Sequence, residues 1–208
     1  MMPSNKSFIL DDEPTKDDRL NRKQYAKAFA NISQRSNTPL VIGLYATWGV
    51  GKTSLMKLID NELNKDKTEV IWFNLWEQQS NENPALALAQ AVANTITGKG
   101  KRKARKYLTL IAAAFGNRIL KSIIGLNLFD TIKLGGIYED ENFQKREYNL
   151  KLKDHFKKIV KTAIGDGVDK RLVFFIDDLD RCTPDKAFML IEALKLYLNI
   201  KGCIYSVF

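Results

Sequence analysis

The chain has 208 residues, of which 45% are hydrophobic, and this fits about one large folded domain and argues against a disordered chain. Lysine and arginine outnumber aspartate and glutamate by 33 to 24, which gives a net charge of +9. The two cysteines, Cys182 and Cys203, lack C-x-x-C spacing, so a zinc site or a disulfide framework is not expected.

Residues 1–17 read as a polar tail, and residues 18–208 as the folded domain. The tail lacks the apolar run of a signal peptide, which predicts a cytoplasmic location. A first helix is predicted over 18–34, where apolar residues recur at helical spacing. These residues are Tyr25, Ala28, Phe29 and Ile32.

A glycine-rich loop follows, between a strand predicted over 40–45 and a helix predicted over 54–64. Residues 46–53 read A-T-W-G-V-G-K-T, which is the Walker A pattern except for Ala46 at its first glycine. In such a loop, backbone N–H groups at a helix N-terminus converge on phosphates. The segment therefore predicts a phosphate-binding loop.

Each residue type in this loop suits one task. Gly49 and Gly51 form a turn without side chains, and Lys52 reaches the β- and γ-phosphates as a point charge. The Thr53 hydroxyl is a predicted Mg²⁺ ligand. Alanine tolerates positive φ less well than glycine, but Ala46 is small, so we expect the loop to form.

The middle of the chain begins with a strand predicted over 70–75. A helix is predicted from Asn83-Pro84 to Gly98, because proline suits the first helical position and glycine ends helices. Residues 99–140 then form a basic and apolar helical insert in this interpretation.

The insert opens with six positive charges: Lys99, Lys101, Arg102, Lys103, Arg105 and Lys106. This run is either a solvated helix end or a binding site for nucleic-acid phosphates or anionic lipid heads. Binding to lipid heads would place the protein at the inner face of a membrane. The apolar pieces 107–115 and 123–129 are short and separated by charges, whereas a membrane span needs about 20 apolar residues. A helical insert is therefore favoured over a membrane-surface contact.

A second pattern, the Walker B arrangement, appears after a helix predicted over 142–164. One face of that helix is apolar: Leu152, Phe156, Ile159, Val160 and Ala163. The run L-V-F-F-I (172–176) predicts a buried parallel strand that ends in Asp177 and Asp178. An acid in this place helps to hold Mg²⁺, which assigns Asp177 to the metal, and a second acid can orient or deprotonate water.

The last elements are a helix from Thr183-Pro184 to Asn199 and a strand over 204–208. Alternating strands and helices predict an α/β fold of three layers (α/β/α) with a mostly parallel sheet and the nucleotide at the C-terminal strand ends. Because the sequence stops within an apolar strand, we expect it to be a fragment that lacks a later sensor residue and a helical region.

Four phrases together resemble the KAP family of P-loop NTPases: W-G-V-G-K-T-S (48–54), F-N-L-W (73–76), I-D-D-L-D-R-C-T-P (176–184) and I-E-A-L-K-L-Y-L (191–198). The resemblance spans about 15–208 and implies an ATP-dependent, Mg²⁺-requiring NTPase, often bacterial. Many members carry transmembrane segments between the two Walker motifs, and some are linked to phage exclusion. The nucleotide-binding residues that it implies are Trp48, Gly49, Val50, Gly51, Lys52, Thr53 and Ser54.

Three classes of function fit these residues. The preferred one is an ATPase, in which Lys52 stabilises charge, Asp178 or Asp180 orients water, and Arg181 or an external arginine completes the site. The second is a nucleotide-gated switch that hydrolyses slowly until it assembles, for instance as a homo-oligomer. The third is a P-loop kinase or a nucleic-acid-binding module that uses the basic run.

The base of the nucleotide is not read by any pattern in the chain. Residues 64–67, N-K-D-K, lack the carboxylate that guanine recognition by N-K-x-D requires, so ATP is preferred through the family resemblance. Asp18 lies where some NTPases contact the base, but it suits a helix N-cap equally well.

Overall fold

The computed structural model describes residues 18, 20–47, 49–78, 84–114, 141–165, 169–197 and 199–207. Trp48 and the apolar piece 123–129 lie outside them. The elements in chain order are α1 (Lys23–Arg35), β1 (Leu40–Gly43), α2 (Lys52–Glu62), β2 (Thr68–Asn74), α3 (Pro84–Thr95), α4 (Gly100–Ala114), α5 (Glu141–Ile164), β3 (Arg171–Asp177), a 3-10 helix (Leu179–Arg181), α6 (Pro184–Tyr197) and β4 (Cys203–Val207). The predicted helices and strands that fall on these residues are confirmed in type, with ends that differ by up to five residues. Of the helical insert predicted over 99–140, residues 115–140 lie outside the described part of the chain.

The four strands form one parallel sheet in the order β1-β4-β3-β2. In the register of β2 and β3, Asn74 lies beside Asp177 at the last paired position. The carboxyl ends of parallel strands share one edge of the sheet, so the loop after β1 lies at this edge too. The predicted parallel α/β fold is confirmed.

Strand β3 is buried on both faces, which explains its unbroken apolar sequence. Leu172, Phe174 and Ile176 pack into a core formed with α3, α4, α5 and α6. Val173 and Phe175 point to the opposite face, where α1 and α2 cover them. Burial of each such side chain stabilises the fold by about 1.5–3 kcal/mol. The sheet is therefore the middle of three layers, with one apolar core on each of its faces.

The buried face of α1 is not the one formed by the apolar residues whose spacing predicted the helix. Tyr25, Ala28 and Ile32 are exposed, and Phe29 is the member of the predicted set that is buried. The helix instead buries small residues beside Phe29: Ala26, Ala30 and Ser33. The buried face is the one that packs against α2, because its small side chains let the two helices approach closely.

Two tryptophans at the C-terminal half of β2 and just after it are partly exposed. Trp72 and Trp76 keep 41% and 52% of their surface accessible. Trp72 lies in β2 and Trp76 follows it, and β2 is an edge strand of the sheet. Trp72 contacts the ring of Phe175 at 5.0 Å between centroids, and the α1/α2 layer does not cover it further.

None of the helices in the described part of the chain is both long and apolar enough to cross a membrane.

Candidate functional site

The glycine-rich loop has the backbone that its sequence predicts. Gly49 and Gly51 adopt φ angles of 80° and 86°, which L side chains rarely adopt. Elsewhere among the described residues, positive φ in a residue other than glycine occurs at Asn21 and Asp178. Ala46 therefore needs no glycine conformation, and the departure from the Walker A pattern leaves the loop intact.

Lys52 is the first residue of α2, and its side chain is largely buried at the C-terminal edge of the sheet. Its ammonium group donates a hydrogen bond of 2.7 Å to Oδ2 of Asp180, which lies in the 3-10 helix after β3. This bond from Lys52 holds the pKa of Asp180 below its ordinary value. Lys52 is thus paired with a carboxylate at the place where a phosphate would bind.

Thr53 and Asp177 bring oxygen ligands together from the two Walker motifs. The Thr53 hydroxyl donates to Oδ2 of Asp177 at 2.8 Å, and the Asp177 side chain is buried. A buried carboxylate beside a hydroxyl suits Mg²⁺, a hard cation that takes oxygen ligands and keeps several waters. In the described residues, no group of three His, Cys, Asp or Glu side chains gathers at a potential metal site. A metal ion here would complete its coordination with phosphate oxygens and water.

Asp178 is held from both sides. Its Oδ2 accepts a 2.8 Å hydrogen bond from Nδ2 of Asn74, and its Oδ1 pairs with Nε of Arg181 at 2.9 Å. The residue has φ 57° and ψ 33°, in the left-handed region, which turns its side chain away from the direction of the strand. Two partners and a strained backbone fix this carboxylate beside Asp177.

The segment before α1 contacts the phosphate loop. Arg22 donates from a guanidinium nitrogen to the backbone carbonyl of Val50 at 2.6 Å. Asp18 accepts hydrogen bonds from the backbone N–H groups of Arg22 and Lys23 at 2.7 and 2.8 Å, and these bonds lower its pKa. Asp18 therefore binds the first N–H groups of the helix from four residues before the N-cap, which is Arg22, and Arg22 ties the helix start to the loop.

The structure brings most of the predicted site residues together. Lys52, Thr53, Asp177, Asp178, Asp180 and Arg181 are joined in pairs at one edge of the sheet. Gly49, Val50 and Gly51 form the adjoining loop, and Ser54 lies in the first turn of α2. The basic run lies on α4, except for Lys99, which directly precedes it, and α4 packs mainly against α3 and α5.

Sequence reasoning did not assign roles to Asn74 and Arg22. Asn74 ends a strand whose neighbour ends in Asp177, so its position in F-N-L-W was the available signal. Arg22 lies 28 residues before Val50, and no spacing rule connects them. Cys182 beside the site donates to the Asp178 carbonyl, and burial raises its thiol pKa, so it is not an activated nucleophile.

Comparisons with known proteins agree with this geometry. The model of the KAP family P-loop domain matches residues 22–207. The chain is also 26% identical over 161 residues to the uncharacterized protein MJ0182 of Methanocaldococcus jannaschii, covering 69% of this chain and 80% of that protein. The family match extends over both Walker segments and over the elements between them. The chain belongs to the KAP family of P-loop domains.

Proposed function

We propose that this chain binds ATP with Mg²⁺ and hydrolyses it. One observation carries the proposal: two segments more than a hundred residues apart meet through Lys52 with Asp180 and through Thr53 with Asp177. Each pair joins a group suited to phosphate or metal with an acid at the end of β3 or in the 3-10 helix that follows it. If residues 177–181 were only a solvent-exposed turn after β3, these two pairs would have no explanation.

Phosphate binding begins at the loop and the start of α2. Backbone N–H groups of the loop and the N-terminal end of the helix favour an anion there. Lys52 would exchange the Asp180 carboxylate for phosphate oxygens. Since both partners are anionic, the lysine keeps a paired charge throughout, and the exchange costs less than the burial of an unpaired ammonium group would.

Thr53 and Asp177 would hold the Mg²⁺ ion, which neutralises charge on the β- and γ-phosphates when bound. Asp178 lies next to Asp177 and orients the water whose oxygen attacks the γ-phosphorus, while the bond to the β–γ bridging oxygen breaks. The ADP oxygen takes the electrons of that bond. In this structure Arg181 holds Asp178, so an external arginine is the better candidate for contact with the phosphates.

Metal dependence gives a direct test of this assignment. In Asp177→Asn, we expect phosphate release to need at least about tenfold more Mg²⁺ for half-saturation, because the metal loses its charged protein ligand. Asp66→Asn, at an exposed turn before β2, is the matched control. Wild-type and Asp177→Asn curves that coincide would remove Asp177 from the metal site. Parallel assays with GTP report whether ATP is preferred.

Arg22 provides a prediction that sequence patterns alone do not make. Arg22→Ala should weaken ATP binding by about tenfold, because the loop loses a charge-assisted hydrogen bond that orders its peptide groups. Lys23→Ala, which changes the next and more exposed residue, should bind ATP like the wild type. Titration with a fluorescent ATP analogue measures both. Equal affinities of the two variants would mean that Arg22 does not position the loop.

A slow nucleotide-gated switch is the second candidate, and the paired state of the site favours it. Both Asp178 oxygens already accept hydrogen bonds, and Lys52 is engaged by Asp180. Turnover then requires these pairs to rearrange, which an assembled partner can promote. We infer from the family resemblance that hydrolysis energises or switches a larger assembly, in phage defence or at the inner face of a membrane.

A further inference from the structure

Helices α4 and α5 pack side by side and run in opposite directions. A Cβ atom added to Gly100 would lie 3.2 Å from Cγ2 of Thr162, so the start of α4 touches the end of α5. About two turns further along α4, the ring of Tyr107 stacks on His155, with 6.0 Å between the ring centroids. Residue numbers thus rise on one helix as they fall on the other.

This pairing places two groups of cations at the same level. On α4 they are exposed and close together in sequence: Lys101, Arg102, Lys103, Arg105 and Lys106. On the facing end of α5 they are Lys157, Lys158 and Lys161. We call these eight residues the α4/α5 basic surface. Asp154 is the acidic residue within 100–113 and 150–164. The sequence pattern of α4 alone did not indicate the contribution of α5.

A lysine lies at the seam between the two helices. Nζ of Lys158 lies 5.6 Å from the centre of the Tyr107 ring, and the same lysine pairs with Asp154. This pair raises the pKa of Lys158, so the lysine remains protonated. Cations on neighbouring helices repel one another, and a bound polyanion relieves that repulsion because its phosphates pair with them. Release of the counterions condensed on the polyanion adds a further favourable contribution to binding. The surface is therefore complementary to a row of phosphates.

Burial of the apolar residues argues against insertion into a membrane. Leu108, Ile111 and Ala112 of α4 pack into the core with α3 and α5. An interfacial helix needs an apolar face of its own for the acyl region. The exposed apolar side chain on the described part of α5, Leu150, lies at the opposite end from Lys161. The α4/α5 basic surface consequently offers charge alone.

Stacking on bases is also disfavoured. Tyr107, the aromatic residue of α4, lies between His155 and Lys158 and is partly buried. Proteins that bind single strands combine charge with accessible aromatic platforms. Packed helices lie about 8–10 Å apart, a separation comparable to the grooves of a duplex, which are about 6–12 Å wide. Cations on the two helices can therefore reach phosphates on both sides of one groove.

We propose that the α4/α5 basic surface binds the phosphate backbone of double-stranded nucleic acid without reading its sequence. Double-stranded nucleic acid would be a partner of the proposed ATPase, and only this link rests on the proposed function. No residue of the surface belongs to the nucleotide site, and α4 and α5 belong to the apolar core on the face of the sheet opposite α2. Duplex binding and ATP binding can thus be tested separately.

The test uses fluorescence anisotropy with a labelled DNA duplex of about 20 base pairs at about 0.15 M salt, where non-specific binding has Kd of about 10⁻⁴–10⁻⁶ M. Two double variants, Lys101→Glu with Lys103→Glu and Lys157→Glu with Lys161→Glu, should each weaken binding at least about tenfold. Each should also reduce the slope of log Kd against log salt by about 2. Thermal unfolding checks that both remain folded.

The matched control reverses two exposed charges on α1, in the other helical layer. Lys27→Glu with Arg35→Glu should bind the duplex like the wild type. Loss in the α4 pair without loss in the α5 pair would overturn the two-helix surface. Equal binding by all variants would overturn the proposal, as would binding to phosphatidylserine vesicles with no affinity for the duplex. Duplex binding by Lys52→Ala at wild-type strength separates this proposal from the ATPase.

Discussion

Lys52→Ala is expected to weaken ATP binding by about 100-fold, the largest effect on affinity that the structure predicts. The phosphates lose a charged donor, which is worth about 1.5–3 kcal/mol, and about 1.4 kcal/mol corresponds to a factor of ten. The variant also leaves the carboxylate of Asp180 without its 2.7 Å partner, next to the incoming phosphates. Both effects act in the same direction. Titration with a fluorescent ATP analogue measures the change.

The same pair predicts an opposite effect for the acid. Asp180→Asn should bind ATP about three- to tenfold more tightly than the wild type, because it removes both a competitor for Lys52 and a negative charge. Lys65→Ala, an exposed lysine beyond α2, serves as the control and should change nothing. Weaker binding by Asp180→Asn would show that this acid supports the bound nucleotide and does not compete with it for Lys52.

Asp178→Asn is expected to slow phosphate release by about 100-fold or more while ATP affinity stays within about threefold. A positioned acid or base contributes about 10²–10⁴ to rate, and the amide cannot accept a proton from water. Because Asp177 and not Asp178 is hydrogen-bonded to Thr53, metal and phosphate binding should persist. Single-turnover hydrolysis and ATP titration on the same sample separate the two quantities.

Asn74→Ala extends this test to the residue that holds Asp178. It removes the 2.8 Å hydrogen bond to Oδ2, so we expect turnover to fall by about tenfold, with affinity unchanged. Asn74→Asp places two carboxylates together and should move the acidic limb of the pH–rate profile to higher pH.

If binding and turnover fell together in Asp178→Asn, the division of roles between Asp177 and Asp178 would be wrong.

The fold, the phosphate loop and the strand that ends in Asp177 can be predicted from local sequence. The apolar run before Asp177 has the length and residue types of a buried strand, and Gly49, Gly51 and Lys52 are adjacent in a pattern with one structural meaning. Short-range rules suffice there, because each element is specified by neighbouring residues. The contacts of Lys52 with Asp180 and of Thr53 with Asp177 then follow once both segments lie at one edge of the sheet.

Other features depend on tertiary packing and leave no local signal. The helical period of α1 is visible, but its buried face is set by α2, which selects Ala26 and Ala30 over Tyr25. Arg22 meets Val50 only because α1 and the loop are brought together by the fold. The charges of α5 join those of α4 through the packing of Gly100 on Thr162.

The most direct test of the central claim is phosphate release from Mg-ATP by the wild-type chain and by Lys52→Ala, side by side. The ATPase and the slow switch both predict release by the wild type, at different rates, and loss of release in Lys52→Ala and after chelation of Mg²⁺. Release that is the same in both proteins, or that persists without Mg²⁺, would contradict the assignment of this site to nucleotide hydrolysis.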